Sequence, residues 1–259
     1  LSNDDGFRAA GIQELAQSML AFGQVTIVAP DGPRSGFSGA ITTTTPLRLK
    51  HRQTEGNLRI YSCEGTPVDC VKLALNTLFL DERPDLIISG INHGSNEGIC
   101  VGYSGTIGAA REGCIYGIPS LAVSLDDTAW HPDFQSSIVY TQQVVQLLKD
   151  GLTLPAKTLL SLNIPKGEVQ GLKVCPMTVG RFVEEFVHSQ DGKGRAIHWL
   201  GGYQVPFEDE SEGDWHELRA GWATLTLKPA TTQFKTGAGA FVDPTHPATG
   251  LPVIGYSAT

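Results

Sequence analysis

The sequence predicts an α/β fold in which a parallel β-sheet is covered by helices on both faces, with a C-terminal β-hairpin and arm added to it. Short apolar segments alternate with longer segments whose apolar residues recur at helical spacing, from the start of the chain to about residue 165. Repeated alternation of this kind is typical of βαβ units, which build parallel sheets. The 259 residues suffice for one large domain or for a domain with an appendage.

The first predicted elements are a strand end, a helix and a second strand. The opening residues Leu1–Gly6 resemble the end of a strand already under way, so we expect a few preceding apolar residues in that strand. The apolar residues of the first helix fall on one face; they are Ile12, Leu15, Ala16, Met19 and Leu20. The short apolar segment Val25–Ala29 predicts the next strand.

A second helix is predicted from Pro67 to Leu80. Thr66 can cap it, Pro67 suits its first turn, and Asp69 complements the positive end of the helix dipole. The remaining units follow in order: strand Leu86–Ser89, helix Thr106–Tyr116, strand Leu121–Leu125, helix Ile138–Leu148 and strand Leu159–Ile164. These strands are short and largely apolar, as buried parallel strands should be.

The pattern changes in the last third of the chain. Phe182–His188 and Ala196–Leu200 flank the turn sequence Asp191–Gly194, which predicts a β-hairpin. Trp222–Leu227 alternates as a strand does, and the tail from Ala230 onward is rich in Gly, Pro and Thr, as in an extended arm.

This change predicts two parts of the chain. We expect an α/β core at residues 1–170, and a hairpin and tail at residues 171–259 that serve in oligomerisation. The second part is too small to form a core of its own. It therefore needs the surface of the first part or of a neighbouring chain.

The composition excludes several classes of protein. A hydrophobic content of 41% with 18% charged residues is ordinary for a globular protein, and no segment approaches the roughly 20 apolar residues of a membrane span. The net charge of −8 repels phosphate polymers, so we expect neither a nucleic-acid polymer nor a membrane as partner. The five cysteines are odd in number and form no CxxC pair, which predicts a reducing cytoplasm.

Polar clusters follow the strands of the predicted sheet, where ligands bind in open parallel sheets. In Asn3–Gly6, the adjacent carboxylates of Asp4 and Asp5 repel each other unless a cation lies between them, and their hard oxygens suit Mg²⁺ or Mn²⁺. The alternative is a capping turn before the first helix. In the loop Pro30–Gly39, Ser35 offers a hydroxyl ligand; the alternative is a plain surface loop.

Two more clusters follow later strands. Within Gly90–Asn96, Asn92 can complete a metal shell with its side-chain oxygen, whereas His93 fits a rim or structural role better than a chemical one. Gly102–Thr106 precedes a helix, and free amides with hydroxyls at a helix start form either a phosphate cradle or a plain N-cap. Because the four clusters follow successive strands of one sheet, their joint pattern favours a single active site.

The motifs of other α/β ligand sites are missing from the sequence. No GxGxxG follows the first strand, and neither GxxxxGK[ST] nor GxSxG occurs. Two functions remain: a metal-dependent phosphohydrolase, or a non-catalytic module that senses a nucleotide or phosphate. The carboxylate pair favours the enzyme, because a pure anion binder has no use for two carboxylates.

These motifs, in this order and spacing, resemble the SurE (survival protein E) nucleotidases, whose sheet is Rossmann-like. The resemblance covers roughly residues 1–165. The matching segments are Ser2–Gly6, Val28–Asp31, Arg34–Gly36, Gly65–Pro67, Asp69–Cys70, Ser89–Asn92 and Tyr103–Thr106.

The resemblance implies a metal site and a phosphate site. It assigns one divalent ion per subunit, Mg²⁺ or Mn²⁺, to Asp4, Asp5, Ser35 and Asn92. It assigns the phosphate to Asn96, Ser104, Gly105 and Thr106. Asp4, Asp5 and Asn92 are the catalytic residues that it implies.

The implied activity is hydrolysis of nucleoside 5′- and 3′-monophosphates by metal-activated water, and of short polyphosphate in some members. The implied assembly is a homodimer or homotetramer built partly by exchange of C-terminal segments. The chain departs from the family at Ile99 and Cys100, where acidic residues are usual, and in its tail. Substrate preference and the exchanged arm are therefore the features that can differ.

Overall fold

A computed structural model of the chain describes residues 1–230 and two short strands at 241–243 and 253–255. Its helices are α1 (Ala10–Met19), α2 (Pro67–Leu75), α3 (Gly105–Ile115), α4 (Gln135–Lys149) and α5 (Asp214–Arg219). The first strands are β1 (Val25–Pro30), β2 (Leu49–Glu55), β3 (Leu58–Cys63), β4 (Ile87–His93), β5 (Ser120–Leu125), β6 (Thr158–Ile164) and β7 (Leu172–Val174). The later strands are β8 (Gly180–Val183), β9 (Phe186–Gln190), β10 (Ala196–Leu200), β11 (Tyr203–Pro206), β12 (Ala223–Pro229), β13 (Phe241–Asp243) and β14 (Val253–Gly255).

The central sheet confirms the predicted α/β class. Strands β4, β5 and β6 are parallel neighbours, and a second sheet contains β1 parallel to β3. The first residues of the chain join the two sheets: the carbonyl of Leu1 accepts from the Val28 amide (2.9 Å), and the Ser2 amide donates to the Ile88 carbonyl (3.0 Å). The residues that follow Ser2 therefore lie between β1 and β4, near the carboxyl ends of these strands.

Both faces of the central sheet are covered, as the buried strands require. On one face, Ile12 and Leu15 of α1 pack with Val144 of α4 against β4, β5 and β6. On the other face, α2 and α3 contact each other, and Ile107 of α3 packs on Ala122 of β5. The core thus lies in two apolar layers, which leaves the carboxyl ends of the strands free for polar residues.

The sheets also contain antiparallel strands, which the sequence pattern did not predict. Strand β12 runs antiparallel to β6 and fills the next position in the central sheet, and β7 follows it as a short edge strand. Strand β2 pairs antiparallel with β3, and its side chains are almost all exposed. Because β2 buries so little, it lacks the apolar alternation by which strands are recognised.

The predicted helix from Pro67 is shorter than expected. It ends at Leu75, where the Asn76 side-chain amide donates to the Lys72 carbonyl (2.7 Å) and closes the last turn. The helix α5 was not predicted, because its six residues are too few to show a helical period.

The C-terminal hairpin is present, with strands β9 and β10 paired antiparallel around the turn at Asp191. Strands β8 and β11, which precede and follow the hairpin in the chain, form a second antiparallel pair. The arm predicted from Ala230 onward lies largely outside the described residues, where only the antiparallel pair β13 and β14 is described. None of the described helices combines the length and apolarity needed to cross a bilayer. The division at residue 170 remains a prediction.

Asp69 is buried in the first turn of α2 and completes the capping box with Thr66, and its replacement by asparagine is expected to destabilise the fold by about 2 kcal/mol. Its carboxylate accepts from the Thr66 amide (2.9 Å) and from the Thr42 hydroxyl (2.6 Å), which ties a loop to the helix. Burial acts to raise the pKa of Asp69, but the hydrogen bonds from Thr42 and Thr66 outweigh it and lower the pKa.

Because the pKa is lowered in the folded state, this stabilisation is present at neutral pH and is lost as the pH falls below about 4. Urea unfolding of Asp69→Asn and wild type should therefore differ at pH 7 and converge in acid. The exposed Asp81→Asn serves as control. An equal loss in both variants, or none in Asp69→Asn, would contradict the assigned role.

Candidate active site

The turn Asn3–Gly6 directs two carboxylates to the carboxyl end of the sheet. The Asn3 side chain is buried, donates to the Gly6 carbonyl (3.0 Å) and accepts from the Gly6 amide (3.1 Å). Gly6 has φ +101°, a conformation that favours glycine. This role of Asn3 was not predicted, although asparagine commonly forms such local bonds in turns. This closed turn fixes the backbone on both sides of Asp4 and Asp5.

Both carboxyl groups lie where a negative charge is poorly solvated. Asp4 is buried and accepts from the Thr106 hydroxyl (2.6 Å). Burial raises the pKa of Asp4 to about 6, and the bond from Thr106 opposes that shift. Burial also raises the pKa of Asp5, whereas the His93 imidazole and backbone amide lower it. Asp5 Oδ2 is buried and has no hydrogen-bond partner among the described residues.

The loop that carries Ser35 lies beside this pair. The Arg34 amide donates to the Asp4 carbonyl (2.7 Å), which brings the next residue, Ser35, to the same side of the sheet. Further along, the Ser38 hydroxyl donates to the Gly102 carbonyl (2.7 Å) and joins the loop to the start of α3. The Arg34 guanidinium pairs with Asp31 (3.1 Å).

Asn92 lies near the end of β4, on the sheet edge that holds the aspartates. Its side-chain amide donates to the Gly94 carbonyl (2.7 Å), so the nitrogen is used locally and the oxygen is left as a possible ligand. His93 stacks edge to face on Phe134, with ring centroids 5.3 Å apart. The His93 ring is thus held by packing at the rim, which agrees with the structural role expected of it.

The start of α3 meets the aspartates directly. The Ser104 hydroxyl caps the helix by accepting from the Ile107 amide (3.1 Å). At Gly105 a Cβ atom would lie 3.1 Å from the Cβ of Asp4, so glycine permits this close approach. The helix start therefore presents free backbone amides, with their positive partial charge, next to the carboxylate pair.

Asn96 lies on the loop between Asn92 and α3. Its side chain is buried, and its side-chain amide donates to the Ser124 hydroxyl (2.8 Å). Its backbone amide donates to the side-chain oxygen of Asn163 (2.7 Å). Neither Ser124 nor Asn163 was singled out in the sequence, because each lies in a largely apolar strand and belongs to no recognisable motif.

The residues present fit a hard divalent cation. Mg²⁺ and Mn²⁺ prefer oxygen ligands. The site offers the carboxylates of Asp4 and Asp5, the side-chain oxygen of Asn92 and, from the adjacent loop, the hydroxyl of Ser35. The specific observation is Asp5 Oδ2, a buried carboxylate oxygen that finds no donor among residues 1–230. Such an atom is costly to bury unless a positive group meets it.

Comparison with known proteins agrees with this geometry. Residues 1–184 match the family model described as survival protein SurE. The chain is 53% identical over 227 residues to the 5′-nucleotidase SurE of Porphyromonas gingivalis, covering 87% of this chain and 88% of that protein. It is 42% identical over 229 residues to the 5′-nucleotidase SurE of Phocaeicola vulgatus, with 87% and 88% covered.

A solved structure is similar over nearly the whole chain. The SurE protein from Aquifex aeolicus superposes with a TM-score of 0.75 at 32% sequence identity. The match covers 90% of this chain and 93% of that protein. The two chains therefore share most of their fold.

Proposed function

Because this chain belongs to the SurE family, we propose that it hydrolyses nucleoside monophosphates to a nucleoside and inorganic phosphate. The observation that supports this most directly is the contact between the carboxylate of Asp4 and the hydroxyl of Thr106 (2.6 Å). It joins a cation-binding pair to an anion-binding helix start, and a phosphomonoesterase needs both. A phosphate sensor without catalysis would need only the helix start.

We propose that Asp4, Asp5, Ser35 and Asn92 hold one divalent cation. When bound, the ion would offset the charge of the phosphoryl group and acidify the attacking water. The two aspartates would then be ionised at neutral pH, because a neighbouring cation favours their charged forms. The choice between Mg²⁺ and Mn²⁺, the activity towards short polyphosphate, and the cytoplasmic location remain predictions.

The other groups of the site would bind and orient the phosphate. The free amides at the start of α3 donate to the phosphate oxygens, and the side-chain amide of Asn96 adds a donor from the facing loop. The Ser104 hydroxyl is used as the helix cap, and serine is a weak nucleophile without an adjacent base. We therefore propose direct attack by water on phosphorus, without a phosphorylated protein as intermediate.

A phosphate-release assay tests the function. Purified protein with Mg²⁺ or Mn²⁺ should release phosphate from 5′- and 3′-nucleoside monophosphates, and excess chelator should stop the release until the metal is restored. Inversion of configuration at a chiral phosphate would agree with direct attack, whereas retention would contradict it. Tight nucleotide binding without any phosphate release, at saturating metal, would instead favour the sensing module.

We propose that the hairpin β9–β10 packs against another subunit, so that the protein is a homodimer or homotetramer. The hairpin exposes large apolar side chains that a solitary chain would leave in water. Trp199 is 65% exposed and Leu200 is 77% exposed. Light scattering of the wild type should give the mass of two or four chains.

The double variant Trp199→Lys with Leu200→Lys is expected to lower that mass towards a single chain. Trp130→Lys is the matched control, since Trp130 is 88% exposed on a loop of the α/β part. The control should keep the wild-type mass. A monomeric wild type at micromolar concentration, or an unchanged mass in the double variant, would contradict the assignment of the interface.

A further inference from the structure

A row of polar side chains crosses the central sheet at a depth where apolar residues are expected. Ser124 of β5, Asn163 of β6 and Thr224 of β12 are directly opposite one another in neighbouring strands. All three are at most 1% exposed. Strands buried on both faces are normally almost continuously apolar, and buried polar groups are retained when they bind something. The row therefore calls for a specific explanation.

Two members of the row bind the same residue on the loop above the sheet. The side-chain oxygen of Asn163 accepts the backbone amide of Asn96 (2.7 Å), and the Ser124 hydroxyl accepts its side-chain amide (2.8 Å). One bond fixes the backbone of Asn96 and the other fixes its side chain. Asn96 is itself only 6% exposed, so both bonds are shielded from water.

These bonds leave one hydrogen of the Asn96 amide group free. A side-chain amide nitrogen carries two hydrogens, and Ser124 takes one of them. The direction of the second is then set by the first, so it is oriented before any ligand arrives. Donors that are oriented in advance bind a phosphate oxygen without reorganisation at the moment of binding.

We propose that Asn163 is a positioning residue for the phosphate site, which acts through Asn96 with the help of Ser124. The proposal rests on the proposed function, since it takes Asn96 as a phosphate ligand. Asn163 does not touch the substrate. It fixes the backbone of the loop at Asn96, so that the Asn96 side-chain amide can reach a phosphate oxygen. Ser124 selects the rotamer of the Asn96 side chain.

Thr224 provides a matched control within the same row. It is as deeply buried as Asn163 and lies opposite it on β12, but its hydroxyl has no hydrogen-bond partner among the described residues. Thr224→Val therefore removes a polar atom from the row without removing a bond to Asn96. A general effect of polarity in the sheet would appear in this variant, and an effect transmitted through Asn96 would not.

The test measures the binding of inorganic phosphate by calorimetry with saturating Mn²⁺, alongside kcat and KM for a nucleoside monophosphate. Asn163→Leu keeps the branching at Cγ and the number of side-chain heavy atoms, and it removes the acceptor. It should weaken phosphate binding by about 10-fold or more, because small misplacements of a ligand-binding group are costly. Ser124→Ala should weaken it by a smaller factor, and Thr224→Val should leave it unchanged. The Mn²⁺ concentration for half-maximal binding should stay constant in all three.

A double variant separates positioning from a loss of structure. In an Asn96→Ala background, Asn163→Leu should change phosphate affinity by less than about twofold, because the donor it positions is already absent. A full additional loss in that background would overturn the proposal. So would phosphate affinity in Asn163→Leu within about threefold of the wild type. If Asn163→Leu fails to fold, the same criteria apply to Asn163→Ala, which also removes the acceptor of the Asn96 amide.

The experiment also distinguishes this proposal from the proposed function. Phosphate binding that depends on Asn163, in a protein that releases no phosphate from nucleotides, would sustain the positioning role and reject the nucleotidase. Turnover that is unaffected in Asn163→Leu, together with unchanged phosphate binding, would reject the positioning role alone. A wild type that binds no phosphate but releases it from nucleotides would reject the positioning role alone, and one that does neither would reject both.

Discussion

Replacing Asp5 with asparagine is expected to lower kcat by about 100-fold or more while the protein remains folded. Asp5 Oδ2 is buried without a hydrogen-bond partner among the described residues, which suits an atom that binds a cation. Asparagine has nearly the same shape but removes the charge, so the divalent ion would bind weakly or in the wrong place. Steady-state phosphate release with titrated Mn²⁺ measures the loss.

The matched control is Asp31→Asn, in the neighbouring loop. It makes the same change of charge, but the Asp31 carboxylate pairs with Arg34 at the surface. Its effect on kcat should therefore be small. Activity near that of the wild type in Asp5→Asn at saturating Mn²⁺ would remove Asp5 from the metal site.

Although Asp5→Asn should lower activity, it should not lower the stability of the metal-free protein. Burial raises the pKa of Asp5, so its charged form destabilises the metal-free protein at neutral pH. Metal-free Asp5→Asn should then melt at the same temperature as the wild type or higher. The difference in melting temperature should vanish as the pH falls below about 4, where the Asp5 carboxyl group is protonated in both the folded and the unfolded protein. Added Mn²⁺ should stabilise the wild type more than the variant.

Replacing Gly105 with alanine is expected to lower kcat/KM by about 10-fold or more. The added methyl group would lie 3.1 Å from the Cβ of Asp4, 3.3 Å from its Oδ2 and 3.2 Å from a ring carbon of Pro67. These contacts are too short to accept without movement, and the hydrogen bond from Thr106 already holds the Asp4 carboxylate in place. The carboxylate or the helix start must shift, so metal binding and phosphate binding should weaken together.

Gly102→Ala is the control for this prediction. Gly102 lies three residues earlier on the same segment, and a Cβ atom there would meet no heavy atom within 4 Å. Its kcat/KM should match that of the wild type. Equal losses in the two variants would point to a general need for flexibility in the segment rather than to contact between Gly105 and Asp4.

The candidate metal and phosphate residues could be proposed from the sequence because they follow strand ends, and strand ends of a parallel sheet meet at one edge. The structure brings Asp4 and Thr106 into contact although 102 residues separate them. It also places Asn92 and the loop of Ser35 on that edge. The chemistry of each motif was ambiguous by itself. Their common position in the sheet is what made a single site the better interpretation.

Other features have no signal in the sequence pattern. Strand β2 is exposed, so its residues do not alternate between apolar and polar. Strand β12 pairs with β6, which lies far from it in the sequence, so no local pattern indicates this pairing. Asn163 lies in a largely apolar strand, and nothing local in the sequence indicates that it binds Asn96. Such features depend on contacts between distant segments, which a periodicity analysis does not address.

The position of β12 has a consequence for how the chain folds as it is synthesised. Strand β6 is completely buried in the finished protein, yet the neighbour on one of its two sides, β12, is made only after the whole hairpin region. Until then β6 presents an open apolar edge, the kind of surface on which unfinished chains associate. A nascent chain paused before β12 is therefore the form of this protein most in need of a chaperone.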